Sequence, residues 1–228
     1  MKKKMYFIWG LLIFPPLLFL INIVLFSIYF SASGELTNAE ISNKINDNIS
    51  ILLLVSQSQM FLLILIYAKK LNINIFEASF KSDNYKSDIT IGIFIGITIA
   101  LLYKFVITDL LIHLQSSIGD YVPANSLSNL KQNLIVFGIA NVILAPFVEE
   151  NIYRNLSLSK LQSRYGNFKA ILISSVFFGL LHWLGGFWYM LITFLFVGIP
   201  FALISIKRKN ILLVFIAHLT LNFFELII

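Results

Sequence analysis

Seven apolar stretches of 17 to 26 residues, separated by short polar segments, leave this chain little choice of fold. Each approaches the ~20 residues a helix needs to cross a ~30 Å hydrocarbon layer. Backbone amides in hydrocarbon must be satisfied within the segment, so runs of this length become helices. The spacing predicts spans at Met5–Phe30, Ile49–Ala68, Ile89–Leu114, Asn133 to about Arg154, Ala170–Gly186, Phe187–Ile206 and Asn210–Ile228. The expected fold class is all-α: a polytopic transmembrane helical bundle of about seven spans, one integral membrane domain over residues 1–228. The first run is about twice the usual signal-peptide core and reads as an uncleaved span, despite Met1-Lys2-Lys3-Lys4 before it. Ser31–Asn48 and Leu71–Asp88 read as polar loops, Gln115–Gln132 as a further loop, and Asn155–Lys169 as a basic interfacial segment.

Charge sets the orientation. With the N-terminus in the cytoplasm, the inner segments hold 14 lysines and arginines against two outside, Lys44 and Lys131, with Lys104 inside a span. That is the bias of the positive-inside rule. The net charge of +6 is thus spread between spans, which argues against a nucleic-acid partner and for a lipid bilayer. No cysteine is present, so thiol catalysis, disulfides and iron–sulfur clusters are excluded. Abundant Ile, Asn and Lys point to an AT-rich bacterial genome, hence a multi-pass protein of the bacterial plasma membrane.

Against this apolar background, Pro146-Phe147-Val148-Glu149-Glu150-Asn151-Ile152-Tyr153-Arg154 stands out. A charge at membrane depth costs on the order of 2.5–3.5 kcal/mol on insertion scales. Later spans carry matching groups in His182 and in His218 and Asn222. At 1.5 Å per residue, Glu149 falls about 8 Å from the inner face, His218 about 10 Å, Asn222 about 16 Å and His182 about 18 Å. One shared site near the inner half is therefore feasible. Glu150 and Arg154 are four apart and can pair, most simply as an interfacial ion pair; Glu149 points elsewhere. Pro146 removes a backbone donor and exposes a carbonyl, and Gly179 permits close helix approach near His182. A carboxylate beside a neutral imidazole can hold a water and take its proton. A second imidazole and an amide can donate to an oxyanion.

The three motifs Glu-Glu-x-x-x-Arg (Glu149, Glu150, Arg154), Phe-x-x-x-His (Phe178, His182) and His-x-x-x-Asn (His218, Asn222) resemble the CAAX protease and bacteriocin-processing family, also called Abi. They occur in that family's order within residues 134–228. The resemblance implies an intramembrane endopeptidase in which Glu149 activates water with help from His182. It implies His218 and Asn222 as oxyanion donors, Glu150 and Arg154 as structural support, and a membrane-associated peptide or protein as substrate. It implies no cofactor. Asn155 departs from the glycine that many members carry after the arginine, which bears on local packing.

Other readings accompany this one. A non-catalytic bacteriocin-immunity or peptide-binding protein would keep the fold but lose a motif residue, and none is missing. A transporter using buried acids as proton sites would be expected to carry internal repeats, and none is detectable. Zinc held by Glu149, His182 and His218 ranks below the metal-free route, because no His-Glu-x-x-His helix is present. Lys104, Asp109 and His113 read as a structural group, and Gly92 with Gly96 as a helix contact.

Overall fold

A computed structural model describes residues 2–34, 36–119 and 133–227. These residues are helical almost throughout and contain no strand. In chain order the helices are α1 (Lys2–Ala32), α2 (Asn38–Asp47), α3 (Ile49–Leu71), α4 (Ile75–Phe80), α5 (85–118), α6 (134–165), α7 (167–181), α8 (Phe187–Arg208) and α9 (Leu212–Ile227). Five helical stretches among the described residues are long and apolar enough to cross a membrane, and α9 is a shorter apolar helix. One stretch, Leu134–Leu181, contains two passes rather than one. Gly166 takes φ 78° and ψ 170°, a conformation that only glycine adopts readily. The chain turns back there, and Ser174 Oγ donates to the Tyr153 carbonyl at 2.7 Å, stitching α7 to α6. The chain thus follows the expected alternation of passes. Lys131 and most of the predicted 115–132 loop lie outside the described residues.

Two of the expected loops contain helices. Thr37 and Glu40 form a reciprocal capping box that starts α2: the Thr37 backbone N–H and hydroxyl donate to the Glu40 carboxylate at 2.8 Å, and the Glu40 N–H donates back at 3.3 Å. Donation from the Thr37 backbone, then from its hydroxyl, holds the Glu40 carboxyl below its ordinary pKa. The short α4 fills the other loop, and Ser79 on it reaches the buried Asn151 side chain at 2.6 Å. Asn155 also donates to Ser79 at 2.8 Å. The departure at Asn155 is therefore accommodated by a polar tie between α4 and α6. The segment after Arg154 divides: Leu156, Ser157, Leu158 and Leu161 are buried, while residues 163–169 are exposed.

The first span belongs to the core. Ile8, Leu11 and Leu12 have 0–1% exposure, and Asn22 on α1 donates to Ser56 and Gln59 on α3. The small-residue pair on α5 holds α9. A Cβ on Gly92 would fall 2.7 Å from the Leu213 carbonyl oxygen, and one on Gly96 would fall 2.5 Å from that of Ala217. Gly179 plays the same part between α7 and α8, where a Cβ would meet Phe194 Cβ at 2.8 Å. These close approaches set the depth and rotation of the helices that carry His182 and His218.

Candidate active site

Three helices bring the motif residues to one cavity of about 1260 Å³, lined by Glu149 from α6, His182 at the end of α7, and His218 and Asn222 from α9. The geometry within it is specific. The backbone N–H of His182 bonds to Gly179, and its Nδ1 lies 2.9 Å from the Phe178 carbonyl oxygen. A carbonyl only accepts, so Nδ1 carries the proton and Nε2 of the neutral ring is an acceptor. Nε2 faces Glu149 Oε2 at 4.0 Å. That oxygen is buried and has no hydrogen-bond partner among the described residues, whereas Oε1 accepts from Gln57 Nε2 at 3.1 Å. Two acceptors that far apart cannot bond each other. A water donating one hydrogen to each at ordinary lengths spans roughly 4.4 Å, so the gap has the dimensions of one bridging water.

Glu150 faces the opposite way. Its Oε1 lies 2.8 Å from His218 Nδ1 and 3.4 Å from Arg154 Nη1. Arg154 Nε sits 3.4 Å from Oε2 as an ion pair without hydrogen-bond alignment. Arg154 Nη2 also donates to the Gly198 carbonyl, and its guanidinium lies 3.9 Å from the centre of the Phe178 ring. Both partners have no exposed side-chain surface. The pair is thus buried within the bundle, and it is linked directly to His218. A buried ion pair needs further partners to offset desolvation, and the His218 ring, the Gly198 carbonyl and the Phe178 face provide them.

Asn222 is held by a consequence of Pro146. The helix runs in π register over Gly138–Leu144, with the Ala145 N–H bonding to the Ala140 carbonyl five residues back. In that register the Asn141 carbonyl would take the N–H of residue 146, and proline has none. The freed oxygen accepts from Asn222 Nδ2 at 2.7 Å. One amide hydrogen of Asn222 remains for other use.

Several residues of this site escaped the sequence reading. Gln57 is 92 positions from Glu149 and lies on an apolar helix. Phe178, named in the sequence only as the start of the Phe-x-x-x-His motif, lies against the Arg154 guanidinium and 5.0 and 6.0 Å from the His182 and His218 rings. Lys104 lines the same cavity with Tyr103, Tyr189 and Glu225, so it belongs to the site's walls. Asp109 and His113 are exposed and outside it. Among the described residues no three His, Asp or Glu side chains form a group able to hold a metal ion. The set Glu149, His182 and His218 is divided by His218 turning to Glu150.

Comparison with known families then adds a finding. Residues 131–224 match the family model described as type II CAAX prenyl endopeptidase, Rce1-like. The Rce1-like region contains all three motifs and every residue named above from Gly138 to Asn222. It is the family that the motifs resemble, and its description is that of an endopeptidase. The likeness covers residues 131–224, and the apolar helices around it are those of a membrane protein. No curated protein and no solved structure matches the chain.

Proposed function

We propose that this protein is an intramembrane endopeptidase that hydrolyses a peptide bond by a water held between Glu149 and His182. The observation that carries the reading is the gap between Glu149 Oε2, buried without a donor, and the acceptor Nε2 of His182, 4.0 Å away. Water there donates to both groups, and its remaining lone pairs face the cavity. As its oxygen attacks the substrate carbonyl carbon, a proton passes to Glu149. The carbonyl oxygen becomes an oxyanion, which takes the second amide hydrogen of Asn222 and Nε2–H of a protonated His218. Glu150 supports that protonated ring through Nδ1, and Arg154 fixes Glu150. Glu149 then returns its proton to the leaving nitrogen as the C–N bond breaks, giving a carboxylic acid, which keeps the water's second hydrogen, and an amine.

No step calls for a metal or another cofactor. The substrate is a membrane-associated peptide or protein, and the setting is a bacterial plasma membrane. The test compares the peptides of cells carrying wild type, Glu149→Gln or His182→Ala, with membrane levels of each variant matched. A peptide terminus present with wild type and absent with both variants is the expected result. Identical peptide populations would instead favour a protein that binds peptides without cutting them.

A further inference from the structure

The cavity that contains the site leads away from the basic end of the bundle. Thirteen of the 17 lysines and arginines lie in segments 2–4, 69–86, 160–169 and 207–209. Those segments share one end: Arg208 pairs with Asp88 at 3.3 Å, Lys70 lies over Phe7, and the Ile211 N–H donates to the Ser79 carbonyl. Among the described residues, none in these segments lines the cavity. Between it and that end stand Val148, Ile152, Tyr153, Phe178, Phe201 and Val214, all 0% exposed. They close the floor.

The other end is open. Asn38, Ile41, Ser42, Ile45 and Asn46 line the cavity, a spacing that places them on one face of α2. No residue of α2 is buried, so this helix roofs the space without filling it. The 183–187 turn, Phe137 and Leu226 complete the rim, and all lie at the end opposite the basic segments. We propose that the site is entered from the extracytoplasmic surface, beneath α2, and that its occupant is an extended peptide segment presented on that side. The occupant rests on the endopeptidase reading; the direction of entry does not.

By the positive-inside rule, the closed basic end faces the cytoplasm and the open rim the outside. Catalytic groups placed nearer the inner face are then reached from the outer one. Amide and hydroxyl groups of Asn38, Ser42, Asn46 and Ser27 alternate with Ile41, Ile45 and Leu53, giving partners for both main-chain polar groups and apolar side chains. The volume of about 1260 Å³ also exceeds the ~300–1,000 Å³ usual for small-molecule sites. A secreted peptide, or the outer end of a membrane helix, fits this entrance; a cytoplasmic tail does not.

The natural absence of cysteine makes the test direct. Single-cysteine variants Ser42→Cys under α2, Leu184→Cys and Leu53→Cys inside the cavity, and Arg164→Cys at the basic end are exposed to a membrane-impermeant maleimide in intact cells. The first three are expected to react in intact cells and Arg164→Cys only after permeabilisation. The reverse pattern overturns the proposal. So does protection of both cavity positions from outside in variants present at wild-type level. The occupant is tested separately by locating any terminus that depends on Glu149. Termini in the medium or on outer-face segments support it; termini found only on cytoplasmic proteins overturn it. If no terminus depends on Glu149, the endopeptidase reading fails and the occupant with it, while the labelled entrance stands.

Discussion

His218 gives its Nδ1–H to Glu150 at 2.8 Å, and so the two adjacent carboxylates of this chain serve different histidines. Glu149 faces His182 across a gap, and Glu150 is locked to His218 and Arg154 by direct contact. One step along a helix turns a side chain by about 100°, which is enough to separate the two environments.

This division predicts opposite phenotypes for neighbouring substitutions. Glu150→Gln leaves the buried Arg154 without its counter-charge, and breaking such a pair costs about 3–5 kcal/mol. Thermal melting in detergent should drop markedly. Glu149→Gln removes no ion pair and should melt within about 1 kcal/mol of wild type while activity disappears. Similar melting of both variants would mean that the carboxylates are not so divided.

Gln57 is predicted to position Glu149. Its hydrogen bond to a charged oxygen is worth about 1.5–3 kcal/mol. Gln57→Leu should therefore lower kcat by one to two orders of magnitude with little change in KM. A residue with a merely structural role would lower the melting temperature and leave kcat of the folded fraction intact.

Pro146→Ala restores a backbone N–H beside the Asn141 carbonyl that Asn222 now uses. The new donor competes with the Asn222 amide, and activity should fall severalfold with the fold retained. Amide hydrogen exchange at residue 146 would report whether that bond forms.

Gly96→Ala tests the seat of α9. The added carbon would lie 2.5 Å from the Ala217 carbonyl and 2.6 Å from Thr220 Cβ, one and two residues from His218. Overpacking of this kind costs about 1–3 kcal/mol. Both the melting temperature and kcat should decrease, whereas Gly34→Ala, with nothing within 4 Å of the new carbon, should be silent.

The parts that were readable in the sequence are those governed by local spacing. Apolar run length marked the passes, the four-residue interval of Glu150 and Arg154 marked their pairing, and Gly92 with Gly96 marked a helix contact. The capping box at Thr37 and Glu40 was also open to reading, yet α2 was masked by its polar composition. Other features depend on rotation and distance that no local pattern encodes. Nothing near Gln57 announces a carboxylate 92 residues away, and the choice of His218 between two adjacent glutamates depends on how α9 seats against α5. Arg154 looked interfacial because its position along the helix is near the end of a span; burial came from α7 and α8 folding over it.

The most direct trial uses purified protein and the peptide whose terminus depends on Glu149. Wild type and Glu149→Gln are compared in the presence of a strong chelator, with melting temperatures matched. Loss of a general base typically costs 10²–10⁴-fold, so wild type should retain its full rate in chelator and Glu149→Gln should fall by at least about 100-fold. Cleavage by Glu149→Gln at the wild-type rate, or abolition of wild-type cleavage by the chelator with recovery on adding zinc, would contradict a water activated by Glu149 and His182 alone.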